Sequence, residues 1–278
     1  MQVLNIDYAA STSSLLFFQS LKETGFTVLH NHSLSVDLIN EVYQGWTDFF
    51  YGSNKNDYLF DKEKQDGYFP FRSENAKGYK ISDLKEFYHV YPWGRIPERV
   101  RDSTLKLYVA LQQLAAELLQ WIENYLPDEI LQRLSVPLKS MIENSPQTLL
   151  RVLHYPPLHD HHEKEAVRAA PHEDINLITL LPAATAPGLE VQDVHGNWHK
   201  VTCDPGNIVV NVGDMLERCT ENYLKSTTHR VINPQTENEN CSRFSMPLFL
   251  HARPEVLISK NLTAREYLHE RLREIGVY

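Results

Sequence analysis

The sequence predicts an α+β protein, mainly β with flanking helices. A jelly roll or antiparallel sandwich forms its core, and a helical and mixed region precedes it. Three observations predict this. Apolar residues recur at helical spacing in the first half, at Leu38, Ile39, Val42, Trp46, Phe49 and Phe50 and again at Leu107, Leu111, Leu114, Leu118 and Ile122. From Thr148 the texture changes to short β-rich runs separated by Pro187-Gly188, His195-Gly196-Asn197 and Pro205-Gly206-Asn207. Finally, 278 residues are enough for a sizeable core. The division falls softly at residue 145, giving a mixed N-terminal region over 1–145 and a β core over 146–278 that shares one interior with it.

In order along the chain, Val3–Ile6 reads as a short strand and Leu15–Glu23 as a helix ended by Gly25, which tolerates the left-handed C-terminal position. Phe26–Leu29 reads as a strand. Ser35 is the N-cap of the next helix, whose aromatic residues belong to the core. Residues 51–95 read as polar and irregular, punctuated by Gly52, Gly67, Gly78 and Gly94. A long amphipathic helix covers Glu98–Leu126 and backs a sheet. Pro127 ends it, and a short helix follows over Asp128–Leu134. The strands of the second half are Leu149–Tyr155, Asn176–Leu181, Leu189–Gln192, Ile208–Val212, Ser226–Ile232 and Phe244–His251, which suit an antiparallel sandwich or jelly roll. A charged helix over residues 263–275 closes the chain.

Composition narrows the class. Lys plus Arg is 27 and Asp plus Glu is 36, a net charge of −9, with no basic stripe. Nucleic acid and anionic membrane surfaces are therefore not the expected partners. No apolar run is long enough to span a bilayer, and the N-terminus lacks the pattern of a signal peptide. Cys203, Cys219 and Cys241 are odd in number and widely spaced, which fits reduced thiols in a cytoplasmic protein.

The chemistry concentrates between Ala170 and Pro247. His172 and Asp174 stand two apart, a spacing that puts side chains on one face of a strand. His229 comes from a later strand. Two imidazoles and one carboxylate leave about half of an octahedral shell open, the facial arrangement of non-haem iron(II) oxygenases. Arg243 and Ser245 repeat the spacing of two, and a guanidinium with a neighbouring hydroxyl suits a carboxylate. The thirteen histidines also include decoys. His159, Asp160, His161, His162 and Glu163 read as a solvated loop, and His195 and His199 flank a surface turn. Asp214 is expected to cap a short helical turn, and Thr179 is left out of the site because strict alternation puts it on the opposite face from Asp174.

Taken together, His172-x-Asp174, His229 and Arg243-x-Ser245 resemble the isopenicillin N synthase-like branch of the iron(II)/2-oxoglutarate-dependent dioxygenases. Tyr155-Pro156, Gly188-Leu189-Glu190-Val191, Asn211-Val212-Gly213-Asp214 and Ser226-Thr227-Thr228-His229-Arg230-Val231 stand in family order. Leu21 to Phe26 and Asn31-His32 resemble the family's N-terminal region, so the likeness covers nearly the whole chain. The resemblance implies a double-stranded β-helix core, Fe(II) on His172, Asp174 and His229, 2-oxoglutarate as cosubstrate on Arg243, Ser245 and Tyr155, and dioxygen. It implies oxidative decarboxylation of 2-oxoglutarate coupled to hydroxylation, desaturation or cyclisation of a small organic molecule. It also implies that the segment 51–95 crosses the mouth of the site, which makes Phe69, Arg72, Lys77 and Tyr79 candidates for the substrate pocket, with Arg168 and Phe249. Arg168 and Arg151 each fit either an acidic substrate group or a bridge to a surface carboxylate. Two other readings stay open: an iron-dependent oxidase of the isopenicillin N synthase type, which uses Arg-x-Ser for its own substrate, and a non-catalytic metal- or ligand-binding barrel. Substrate identity and oligomeric state are not written in the sequence.

Overall fold

The computed structural model describes residues 1–74, 81–158 and 166–274. The first strand, β1 (Asn5–Asp7), leads into α1 (Ser13–Thr24), β2 (Phe26–His30) and α2 (Val36–Tyr51). Gly25 closes α1 in the left-handed conformation (φ 71°), its N–H donating to Leu21 O. The Ser35 hydroxyl accepts from Leu38 N at 3.2 Å, as an N-cap does. The segment expected to be irregular instead carries two strands, β3 (Gly67–Phe69) and β4 (Glu86–Val90). Sequence pattern concealed them because β3 is only three residues long and β4 is buried on both faces, so neither alternates. Then come α3 (Glu98–Glu123), α4 (Asp128–Leu131), and an unforeseen α5 (Leu138–Ile142).

The second half holds β5 (Leu149–Tyr155), β6 (Ala169–His172), β7 (Ile178–Pro182), β8 (Leu189–Gln192), β9 (Trp198–Lys200), β10 (Ile208–Val212), α6 (Asp214–Cys219), β11 (His229–Val231), β12 (Arg243–Ser245), β13 (Leu248–Leu250), β14 (Leu257–Ser259), β15 (Leu262–Thr263) and α7 (Ala264–Glu274). The strand expected over Phe244–His251 is two strands, interrupted at Met246-Pro247, where proline has no N–H for a ladder.

Among the described residues, nine strands form one sheet in the order β1-β2-β10-β7-β13-β5-β4-β3, with β12 also paired to β5. Four more form a second sheet, β6-β11-β8-β9. The two sheets pack face to face. Phe69, Phe87, Leu153 and Tyr155 of the large sheet meet Ala169 and Val231 of the small one. Phe26, Val28 and Val209 meet Val191. This is the double-stranded β-helix arrangement, with helices on the outer face of the large sheet.

Alternation along the large sheet sorts the side chains. Leu150 and Val152 of β5, Ile178 and Leu180 of β7, Ile208 and Val210 of β10, and Leu248 and Leu250 of β13 join Leu107, Leu111, Leu114 and Leu118 of α3 in one apolar core. Their neighbours Arg151, Leu153, Tyr155, Thr179, Asn211 and Phe249 take the other face, between the sheets. Strands of the first 145 residues complete the sheet: β2 pairs with β10, and β4 with β5.

Candidate active site

His172 ends β6 and His229 begins β11, and the two are direct partners in the antiparallel register. Their rings lie 4.4 Å apart, centroid to centroid. Each ring is oriented from behind. Nδ1 of His172 sits 2.8 Å from Ala170 O, and Nδ1 of His229 sits 3.1 Å from Thr227 O. A carbonyl only accepts, so each Nδ1 carries a hydrogen and each Nε2 is turned toward Asp174. Thr227 itself is propped by Gly25: a Cβ there would fall 2.2 Å from Thr227 Oγ1.

Asp174 supplies the third group. Its Oδ1 lies 4.0 Å from His172 Nε2 and 3.7 Å from His229 Nε2. Its Oδ2 accepts from Thr179 Oγ1 at 2.5 Å and from Asn211 Nδ2 at 2.8 Å. The three ligand atoms lie within 4.8 Å of one another. Burial pushes the Asp174 carboxyl up, but His229, His172 and the Asn211 and Thr179 hydrogen bonds outweigh it and hold it below its ordinary value. Burial, with His229 beside it, pulls the His172 imidazole down to about 4. A His172 imidazole biased to its neutral form and a carboxylate biased to its ionised form are what a divalent ion requires, and two imidazoles with one carboxylate are a donor set that fits iron(II).

Asp174 does not share a strand with His172, as the spacing suggested. β6 ends at His172, and the chain turns so that Asp174 O accepts from Asp214 N at 2.7 Å. Gly213 permits that approach, since a Cβ there would sit 2.3 Å from Asn176 O. The turn swings Thr179 against Asp174, which strict alternation did not foresee. Gly213, not Asp214, is the N-cap of α6, and the Asp214 carboxylate instead accepts from the Tyr267 hydroxyl at 2.8 Å.

Arg243 opens β12 opposite Tyr155, the last residue of β5. It is 2% exposed. Its Nε donates to Ala186 O at 3.0 Å, and its guanidinium lies 5.1 Å from the centre of the Tyr155 ring. Nη1 has no partner, and among the described residues no carboxylate pairs with this cation. Burial pulls its pKa down, opposed by the Tyr155 and Tyr43 hydroxyls. Ser245, two residues on, takes the same face and is buried. A buried guanidinium with a free N–H and no anion suits a carboxylate brought from outside.

Comparison with known proteins matches residues 146–252 to the sequence model of the 2OG-Fe(II) oxygenase superfamily. Residues 13–107 match the model described as non-haem dioxygenase in morphine synthesis N-terminal. A protein of Caulobacter crescentus assigned to the 2OG-Fe(II) oxygenase family is 31% identical, with 99% of each chain covered and a TM-score of 0.80. The chain belongs to the 2OG-Fe(II) oxygenase superfamily. A crystal structure of a Shewanella oneidensis protein assigned as an oxygenase is 50% identical to this oxygenase, with 100% of each chain covered and a TM-score of 0.90. A full-length Neurospora crassa protein, crystallised in complex with alpha-KG and thymine, shares its fold at 21% identity, 99% and 97% coverage and a TM-score of 0.80. The oxygenase uses iron(II) and 2-oxoglutarate to oxidise a small organic molecule, which sets aside the 2-oxoglutarate-free oxidase and the non-catalytic barrel.

The remaining residues named from sequence take different places in the oxygenase. Phe69 is stacked between Phe60 and Phe87, at 4.3 and 4.5 Å, inside the apolar cluster that contains Tyr155. Phe249 stands opposite Thr179, with the Arg151 guanidinium 5.8 Å from its ring centre. Arg72 adopts φ 64°, and its N–H donates to Lys85 O at 3.0 Å. Arg168 is buried, and its Nη2 donates to Cys241 O at 2.7 Å, two residues before Arg243. His199, in β9 just after the turn, pairs with Asp193 at 2.7 Å. Lys77, Tyr79 and the cluster His159 to Glu163 lie outside the described residues.

Sequence reasoning missed a buried charge cluster on the inner face. Arg151 grips Glu74 through Nη1 and Nη2 at 3.1 and 3.3 Å and donates from Nε to His89 Nε2 at 2.9 Å. Lys85 reaches both Glu74 and Asp83 at 2.8 Å. Asp83 Oδ1 in turn accepts from Ala170 N, two residues before His172. The available signal was charge within strand-like sequence, at Arg151 in β5 and Lys85 just before β4.

Proposed function

We propose that His172, Asp174 and His229 hold the iron(II) of this oxygenase, and that Arg243, Ser245 and Tyr155 hold the distal carboxylate of 2-oxoglutarate. The observation that carries the second assignment is Arg243, a buried guanidinium with an unused N–H and no anionic partner among the described residues. When bound, iron(II) supplies the redox centre for dioxygen and for the decarboxylation of 2-oxoglutarate to succinate and carbon dioxide. The protein's part is orientation. Ala170 and Thr227 carbonyls aim the two imidazoles, and Thr179 and Asn211 fix the carboxylate, leaving Oδ1 toward the ligand space. The apolar cluster of Phe69, Phe87, Leu153 and Val231 excludes water beside the cosubstrate.

We place the small-molecule substrate on the side of Phe69, Arg72 and Phe249. A cytoplasmic setting fits the three free cysteines. Among the described residues, no helix is long and apolar enough to cross a membrane.

The test is the visible charge-transfer band of the anaerobic iron(II) and 2-oxoglutarate complex. Wild-type protein forms it. Arg243→Ala weakens the apparent affinity for 2-oxoglutarate by roughly a hundredfold to a few thousandfold, as expected when one partner of a buried ion pair is removed. Arg243→Lys recovers part, because an ammonium lacks the planar fork. Iron binding persists in both. An unchanged affinity in Arg243→Ala would remove the clamp assignment.

A further inference from the structure

One more imidazole is oriented in the manner of His172 and His229. His251 follows β13 by one residue. Leu177 N donates to Leu250 O at 2.9 Å, so the pairing of β13 persists to that point. Ala252 joins Leu248 and Leu250 in the core that contains α3. Alternation therefore holds through residue 252 and sets His251 on the face of Phe249, between the sheets. Phe249 stands opposite Thr179, whose hydroxyl donates to Asp174 Oδ2 at 2.5 Å. Residues diagonal across an antiparallel pair lie about 7–8 Å apart. The His251 ring is thus within reach of a small molecule bound beside Asp174.

His251 is buried, and its Nδ1 sits 3.2 Å from Phe249 O. His172 and His229 use the carbonyl two residues before them in the same way. Burial pulls the His251 imidazole down to about 4, against the Phe249 carbonyl and the Asp174 charge, so the ring is neutral at pH 7. Its one N–H goes to the carbonyl, and Nε2 keeps a lone pair. That nitrogen makes no hydrogen bond among the described residues, yet unlike Nη1 of Arg243 it is not sealed from solvent. Other polar groups of this face are already used. His89 engages both ring nitrogens, one with Gln65 O and one with Arg151 Nε. Arg151 and Lys85 pair with Glu74, and Lys85 also with Asp83. Amid paired charges and apolar rings, the His251 lone pair is an acceptor that lacks a donor.

We propose that His251 is a specificity residue for the molecule to be oxidised, and that this molecule is uncharged and donates an N–H or O–H to Nε2. An ammonium would find no free carboxylate on this face among the described residues, and a carboxylate would meet a lone pair. The proposal rests on the placement of the substrate beside Phe249 given above. The competing role is packing, in which the ring only fills the space past β13.

His251→Phe and His251→Gln separate the two, measured on the full-length iron(II) protein. The readout is stimulated succinate release over matched pairs: phenol and anisole, indole and its N-methyl derivative, 2-pyrrolidinone and its N-methyl derivative. Benzoate and benzylamine serve as charged comparisons. As a specificity residue, His251 gives a wild-type protein that prefers at least one donor over its methylated partner by about tenfold to a hundredfold in kcat/KM. His251→Phe erases most of that preference. His251→Gln, which can bring a carbonyl oxygen to the place of Nε2, recovers part. Affinity for 2-oxoglutarate, read from the charge-transfer band, stays at the wild-type value in both. If no donor stimulates release, or if methylated or charged compounds do better, the proposal fails. It fails also if His251→Phe lowers the melting temperature and leaves the preference intact, as packing predicts. If His251→Phe erases the preference while Phe249→Ala leaves kcat/KM unchanged, the role of His251 stands and the placement beside Phe249 is what fails.

Discussion

The inner face of β5 has two ends, and they treat charge in opposite ways. At Tyr155, Arg243 is buried and pairs with no carboxylate among the described residues. At Arg151, about 13 Å along the same strand face, the cations are paired: Arg151 with Glu74, and Lys85 with Glu74 and Asp83. Burial works to neutralise Glu74, yet Arg151 and Lys85 hold its carboxyl far below the usual range. Burial alike and pairing unlike, the two ends show what an interior charge is for. A cation kept without an anion of its own chain is a charge reserved for a ligand. A cation matched inside the chain is wall, giving shape and rigidity without net attraction. Under the proposed clamp, the cosubstrate would be selected by charge at the Tyr155 end, while Phe87 and Phe249, each beside the paired Arg151, form a nearly neutral surface.

The sharpest way to break this contrast is Arg151→Ala. If the Arg151 end is wall, the loss shows as stability, about 3 kcal/mol in a urea titration, because Glu74 is left with Lys85 alone. Affinity for 2-oxoglutarate should stay within about twofold of wild type. A drop as large as that of Arg243→Ala would mean the two ends act as one electrostatic unit. Next in size is Thr179→Val, which removes a hydrogen bond to Asp174 without touching a ligand. Iron affinity, measured by competition with a chromogenic chelator, should fall tenfold to a hundredfold. Unchanged affinity would show that Asn211 alone orients the carboxylate.

The smallest effect concerns pH and His89. Its Nδ1–H donates to Gln65 O at 2.8 Å and its Nε2 accepts from Arg151, so the ring is held neutral. Burial, then the Arg151 charge, pulls its pKa down to about 3. Below about pH 6.5 the unfolded chain takes up a proton that the folded chain refuses. Stability therefore rises with pH through this window and levels off above it. From pH 6.5 down to pH 5 the loss is about 2 kcal/mol. His89→Gln should remove that part of the slope when denaturation is compared at pH 7 and pH 5. An equal slope in both proteins would put the acid sensitivity elsewhere.

What could be read from sequence was what lies close along the chain or falls on regular alternation. β5, β8 and β10 have the limits expected of them, and His172 and His229 show themselves by strand context and order. Thr179 was hidden because the turn at residues 173–177 breaks the alternation on which its exclusion rested. β3 and β4 were hidden because a short or doubly buried strand has no polar face to betray it. The contrast between Arg151 and Arg243 was hidden for a different reason. Pairing depends on Glu74, 77 residues before Arg151 in the chain, and nothing local to either arginine records which one has a carboxylate waiting.

The pairing of β2 with β10 also bears on how the chain is made. Roughly 180 residues separate these strands, and until the later one leaves the ribosome β2 has only β1 beside it. At ordinary elongation rates of about 5–20 residues per second, that is roughly 10 to 40 s. For that time Phe26 and Val28 have no opposing sheet to cover them. The nascent first half is thus an unfinished surface, apolar and open to wrong partners until the later strands are made.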